Sequence, residues 1–134
     1  MTRPVIGICA AVQPARFGPW DQDVAMAPTT MVTAAQELGW LTVLLTIDEA
    51  LAREPGDVLS LLDGLIVPDW GSRRDRFAEF SRKLGEQAEA RGLPVVRVRE
   101  SLLGPDASLA DYRRALVDLF GAGAREAMRR ERLA

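Results

Sequence analysis

Four short runs of apolar, largely β-branched residues punctuate the chain, at Val5 to Ala10, Leu41 to Ile47, Leu65 to Val67 and Leu93 to Val98. Each is bounded by turn-forming residues, so each reads as a buried strand. Stretches with helical spacing lie between them. Pro28-Thr29-Thr30 opens a helix to about Leu38, with Thr29 or Ala27 near its cap, Pro28 in its first turn and Gly39 ending it. Asp48 to Ala52 reads as a helical turn and Asp57 to Leu62 as a short helix stopped by Asp63-Gly64. Ser72 is placed to cap a long helix through Ala90, with Asp75 as the acid of a capping box and Phe77, Phe80, Leu84, Gln87 and Ala88 in register. Asp106 to Ser108 caps a further helix from about Leu109 to Phe120, and Ala124 to Leu133 reads as a final charged helix. Val12 to Gln22 carries Pro14, Gly18 and Pro19 and reads as a long loop.

Strands alternating with helices imply right-handed crossovers and a parallel sheet. The expected fold is α/β, a flavodoxin-like three-layer sandwich with about four parallel strands in the order 2-1-3-4, flanked by helices, in one domain spanning residues 1–134. The third strand is expected to stop at Pro68. The alternation Val96-Arg97-Val98-Arg99 has period two, which marks the fourth strand as an edge or as covered on one side only. In such sheets the ligand crevice lies beyond the carboxyl ends of the strands. That edge is formed by Cys9 to Asp21, Thr46 to Glu49, Pro68 to Arg74 and Arg97 to Leu103.

The chain has no histidine and one cysteine, Cys9. A thiol nucleophile needs a base or a cation to become thiolate. Cys-His and Ser-His-Asp mechanisms are therefore excluded unless a second chain supplies the imidazole. An internal disulfide and the usual zinc clusters are excluded too, and no Asp/Glu group has a convincing metal spacing. Gly121-Ala122-Gly123-Ala124 follows no strand and is not a dinucleotide fingerprint. No cofactor or metal is expected. A net charge of −2 argues against nucleic acid and against a membrane surface. The basic and acidic residues of Arg125 to Arg132 read as a solvated helix end. No run approaches the roughly 20 apolar residues of a membrane span, and no signal-peptide layout is present, so a cytoplasmic location is expected. Lys83 is the only lysine, a bias towards arginine that fits a GC-rich bacterial genome.

Several strings together resemble a known family. Arg3-Pro4-Val5-Ile6-Gly7-Ile8, Ala15-Arg16-Phe17-Gly18-Pro19-Trp20-Asp21, Val32 to Gly39, Thr42 to Leu45, Leu61 to Val67, Arg74 to Phe77 and Ala90 to Val96 look like the class I glutamine amidotransferase-like proteins. The closest type is the gamma-glutamyl hydrolases (peptidase C26). The resemblance covers about residues 3 to 98 and implies the flavodoxin-like fold. It also implies lost catalysis. The family's oxyanion glycines are replaced by Pro68-Asp69, and proline has no amide hydrogen to donate. Where the family has the cysteine of its nucleophile elbow, this chain has Arg99, within Arg97-Val98-Arg99-Glu100-Ser101. The family's later His and Glu belong to a C-terminal half that this sequence lacks. Cys9 falls at the end of the first strand, not at the family's nucleophile.

The candidate residues therefore divide. Cys9 reads as a small apolar packing residue, or as a thiol activated by Arg16 or Arg99. Arg16, Phe17, Trp20 and Asp21 sit in the long first loop, either as a ligand or partner contact or as a lid over the sheet. Asp69 and Trp70 form a turn or touch a ligand at the switch point. Arg99, with Arg97, protects an edge or binds an anion. The leading expectation is a non-catalytic binding or assembly module, a homodimer or other homo-oligomer, or the partner of a second protein. The alternative is a small-molecule enzyme acting on a carboxylate or gamma-glutamyl-type substrate, with Asp21, Asp69 or Glu100 as acid or base and Arg16 or Arg99 as anion clamp. Residual gamma-glutamyl hydrolysis from Cys9 is a third reading.

Overall fold

The computed structural model describes residues 3–69 and 75–117. β1 (Val5–Cys9) leads into β2 (Ala11–Phe17) and β3 (Trp20–Met26), followed by α1 (Thr29–Glu37), β4 (Leu41–Leu45), α2 (Glu49–Arg53) and α3 (Gly56–Leu59). Then come β5 (Gly64–Asp69), α4 (Arg76–Ala90), β6 (Val95–Arg99) and a 3-10 turn at Glu100–Leu102. A further helix, α5, occupies residues 109–117.

The main sheet is parallel and ordered β4-β1-β5-β6. Counting only the four apolar runs, this is second, first, third, fourth. Alternate residues of each strand serve opposite faces. Ile6, Ile8, Ile66, Val96 and Val98 pack with Met31, Ala34 and Ala35 of α1 and with Tyr112 and Leu116 of α5. On the other face Cys9, Leu45, Leu65 and Val67 pack with Phe77, Phe80, Leu84 and Ala88 of α4 and with Leu59 and Leu62. The result is the flavodoxin-like three-layer α/β arrangement. Asp63 joins β1 to the start of β5: its amide donates to the Val5 carbonyl at 2.7 Å, and its Oδ2 accepts the Val5 amide at 2.7 Å.

Local chemistry corrects the sequence reading in four places. The segment expected to be a loop is an antiparallel hairpin, with Arg16 opposite Asp21 and Phe17 opposite Trp20. Gly18 takes the left-handed conformation, φ 57°, that the tight turn demands. Pro68 does not end the third strand, which runs to Asp69 with Pro68 opposite Val98. The Leu65 amide donates to Pro94, so odd positions of β5 face β6 and Pro68 faces the β1 side. The β1–β5 pairing ends at Ile8 and Ile66 although β1 runs on to Cys9, since the next ladder bond would need the amide that Pro68 lacks. The long helix is capped by Asp75, not Ser72: Asp75 Oδ1 accepts the Ala78 amide at 3.0 Å. Pro28 itself is the residue before the first turn of α1, and no side chain caps it. Asp48 caps α2 through the Ala50 amide at 2.9 Å, and Ser108 and Asp111 form a reciprocal capping box on α5. Trp70, Ser72, Phe120, the glycines at 121 and 123 and the segment 124–133 lie outside the described residues.

Candidate functional site

The carboxyl edge of the sheet holds three separate features. The first is the β2–β3 hairpin, which emerges from the end of β1. Its strands pair with each other and make only sparse contacts with the other named elements. Period two divides its side chains into two faces. The register puts Ala11, Ala15, Phe17, Trp20, Val24 and Met26 on one face with Gln13 and Gln22, and Arg16, Asp21 and Asp23 on the other. Phe17 is 80% exposed and Trp20 58% exposed. Arg16 and Asp21 form a solvent-facing ion pair at 3.4 Å across the hairpin. Its role is register, since an exposed pair adds little stability.

The second feature is a cleft of about 610 Å³ between the start of the hairpin, the turn after β4 and the start of α4. Val12, Ile47 and Phe77 give it apolar walls, and Asp48, Glu49, Asp75 and Arg76 its polar ones. The polar groups are already engaged. Asp48 and Asp75 cap helices, and Arg76 is paired with Glu49. The Arg76–Glu49 pair bridges α2 and α4 across the cleft.

The third is a groove of about 390 Å³ on the outer side of β6, lined by Arg97 and Arg99, by Ser101 and Leu102, and by Asp111, Arg114 and Ala115 of α5. Arg97 Nη2 donates to Glu89 at 2.5 Å. This bond holds the Arg97 guanidinium above its ordinary pKa and the Glu89 carboxyl below its own.

Cys9 belongs to none of these. It is 0% exposed. Burial pushes its thiol up to about 12, against a smaller downward pull from the Ser81 side chain. Arg16 stands on the exposed face of the hairpin and Arg99 is exposed at the end of β6, and neither contributes to the perturbation of this thiol. The structure therefore separates the candidate residues. Arg16, Phe17, Trp20 and Asp21 share the hairpin tip. Asp69 and Arg99 are neighbours across the β5–β6 ladder. Glu100 begins the 3-10 turn beyond them. Neither cleft is lined by Asp21, Asp69 or Glu100. Arg114 of the β6 groove escaped the sequence reading, because an exposed arginine on a charged helix has no local signature. No family model and no curated protein matches the chain.

Among the described residues there is no group of three or more Cys, Asp or Glu side chains arranged for a metal. No helix among them is long and apolar enough to cross a membrane.

Proposed function

We propose that the chain is a non-catalytic binding or assembly module of glutamine amidotransferase-like, gamma-glutamyl hydrolase type, acting as a homo-oligomer or with a partner protein. The hairpin carries this reading. A two-stranded hairpin is marginal in water unless its apolar face packs on something, and this one holds two aromatic rings out at its tip. Covering the exposed parts of both rings removes roughly 300 Å² of apolar surface per chain, worth about 7 kcal/mol before the cost of association. The edge strand β4 adds to it. Leu41, Val43 and Leu44 are exposed there, and Leu41–Leu45 contains no charge.

Sedimentation or light scattering of the purified chain tests the proposal. The expected mass at about 10 μM is a multiple of 14.7 kDa, and the double substitution Phe17→Ser with Trp20→Ser shifts it towards the single-chain value while the far-ultraviolet spectrum is kept. A wild-type chain that stays at 14.7 kDa, with a hairpin no more sensitive to trypsin at Arg16 on dilution, would count decisively against it.

A further inference from the structure

We propose that the groove on the open edge of β6 binds a small organic acid, with its carboxylate held by Arg99 and Arg114. Three guanidiniums line this groove with one lining carboxylate, Asp111; outside the lining, Asp69 sits opposite Arg99 on β5, and Asp69 and Glu86 act on Arg97. Arg97 is taken by Glu89, which approaches from α4 and does not line the groove. Asp111 is committed to the capping box of α5, where its Oδ2 accepts the Ser108 amide at 3.0 Å. Its ion pair with Arg114 is long, at 3.9 Å. Arg99 has no ion-pair partner among the described residues. Two guanidiniums are thus left with most of their donors unspent, in a chain whose net charge is −2.

Backbone geometry adds donors. The Leu65 amide donates to Pro94, so Pro94, Val96 and Val98 face β5, and the amides of Arg97 and Arg99 point to the outer edge, which no other described strand covers. A planar carboxylate matches the forked donors of arginine better than a spherical anion does. Leu102 and Ala115 supply a short apolar wall for the carbon skeleton. A volume of about 390 Å³ suits a small ligand rather than a peptide. This inference is independent of the assembly reading, because the hairpin and β4 lie on other elements.

Titration calorimetry of the full chain at low ionic strength, with succinate as probe, tests it. Saturable binding with a dissociation constant of about 1 mM or tighter is expected. Arg99→Gln weakens it at least about tenfold, and Arg114→Gln does so as well. Arg82→Gln, at an exposed position of α4 outside the groove, leaves it unchanged. Thermal melts of the variants confirm that each still folds, as expected for exposed side chains. Absence of saturable binding up to about 20 mM succinate overturns the proposal. So does equal weakening by Arg82→Gln, which would mean diffuse charge attraction, or inorganic phosphate binding as tightly as succinate, which would mean no carboxylate recognition.

Discussion

The buried thiol offers the sharpest quantitative check, because two independent observables follow from one environment. Cys9 lies in β1 opposite Leu45 and inside the α4-facing core. With its pKa pushed from an ordinary 9.0 to about 12, roughly one native molecule in ten thousand carries the thiolate at pH 8, against about one in ten when unfolded. A thiol reagent should therefore modify the folded chain about a thousandfold more slowly than the urea-unfolded chain. Stability should report the same shift. The folded pKa is raised, so the folded state retains the proton that the unfolded state releases. The contribution of Cys9 is complete below pH 9 and is lost as the pH climbs towards 12. Between pH 8 and pH 10.5 the loss comes to about 2 kcal/mol. Tyr112 is also raised by burial and titrates in the alkaline range, so the measurement is a comparison. Urea unfolding of the wild type and of Cys9→Ala, each at pH 8 and pH 10.5, should show a steeper alkaline loss in the wild type. Native labelling within about tenfold of the unfolded rate, or identical losses in the two proteins, would refute the burial argument and reopen Cys9 as a reactive group.

Three further outcomes follow from the core. A Cβ at Gly7 would meet Leu62 Cδ1 at 2.8 Å and Leu45 Cδ1 at 3.0 Å; Gly7→Ala should destabilise by about 1–3 kcal/mol in denaturant unfolding, since both leucines are packed in the core. Removing the carboxylate that accepts the Val5 amide, in Asp63→Ala, should cost about 1–3 kcal/mol, and Asp63→Asn, which keeps a carbonyl oxygen there, should cost less. Among the described residues the buried Ser81 hydroxyl makes no hydrogen bond of good geometry, only a weak interaction with the Cys9 thiol, so Ser81→Ala should leave thermal stability unchanged or raise it by up to about 1 kcal/mol; a clear loss would show that the contact with the thiol satisfies the hydroxyl.

The central sheet was legible because its signal is redundant. Ile6 and Ile8 on one face and Cys9 on the other sit in one continuous apolar run, as a strand covered by helices on both sides requires. The hairpin was hidden because Pro14, Gly18 and Pro19 are loop residues by any local rule. What identifies it is a relation across the turn, Arg16 against Asp21 and Phe17 against Trp20, and that relation needs a register before it can be seen. Pro68 misled for a related reason. A proline removes only the ladder bond its own amide would make, here towards β1, and β5 runs on to Asp69 because its other side stays paired with β6, which is a tertiary fact. The cap at Asp75 rather than Ser72 was a choice between two good cap residues three positions apart.

The two edges of the sheet are treated in opposite ways, and the difference bears on assembly. β6 presents Arg97 and Arg99 along its open side, charges that oppose pairing with another strand. β4 presents none. Its Leu41 amide donates to the Pro4 carbonyl at 2.8 Å, so Thr42 and Leu44 turn their amides outward. A strand of this composition, left open in water, is a pairing hazard that natural sheets blunt with charge, proline or a covering element. Neither charge nor proline occurs in Leu41–Leu45. Among the described residues no second strand pairs with the outer side of β4, and the projecting hairpin likewise has its aromatic face exposed. If the assembly reading holds, Leu44→Lys should weaken association as strongly as loss of the two aromatic rings, whereas a matching change of charge on β6, Arg99→Gln, should leave the assembled mass untouched.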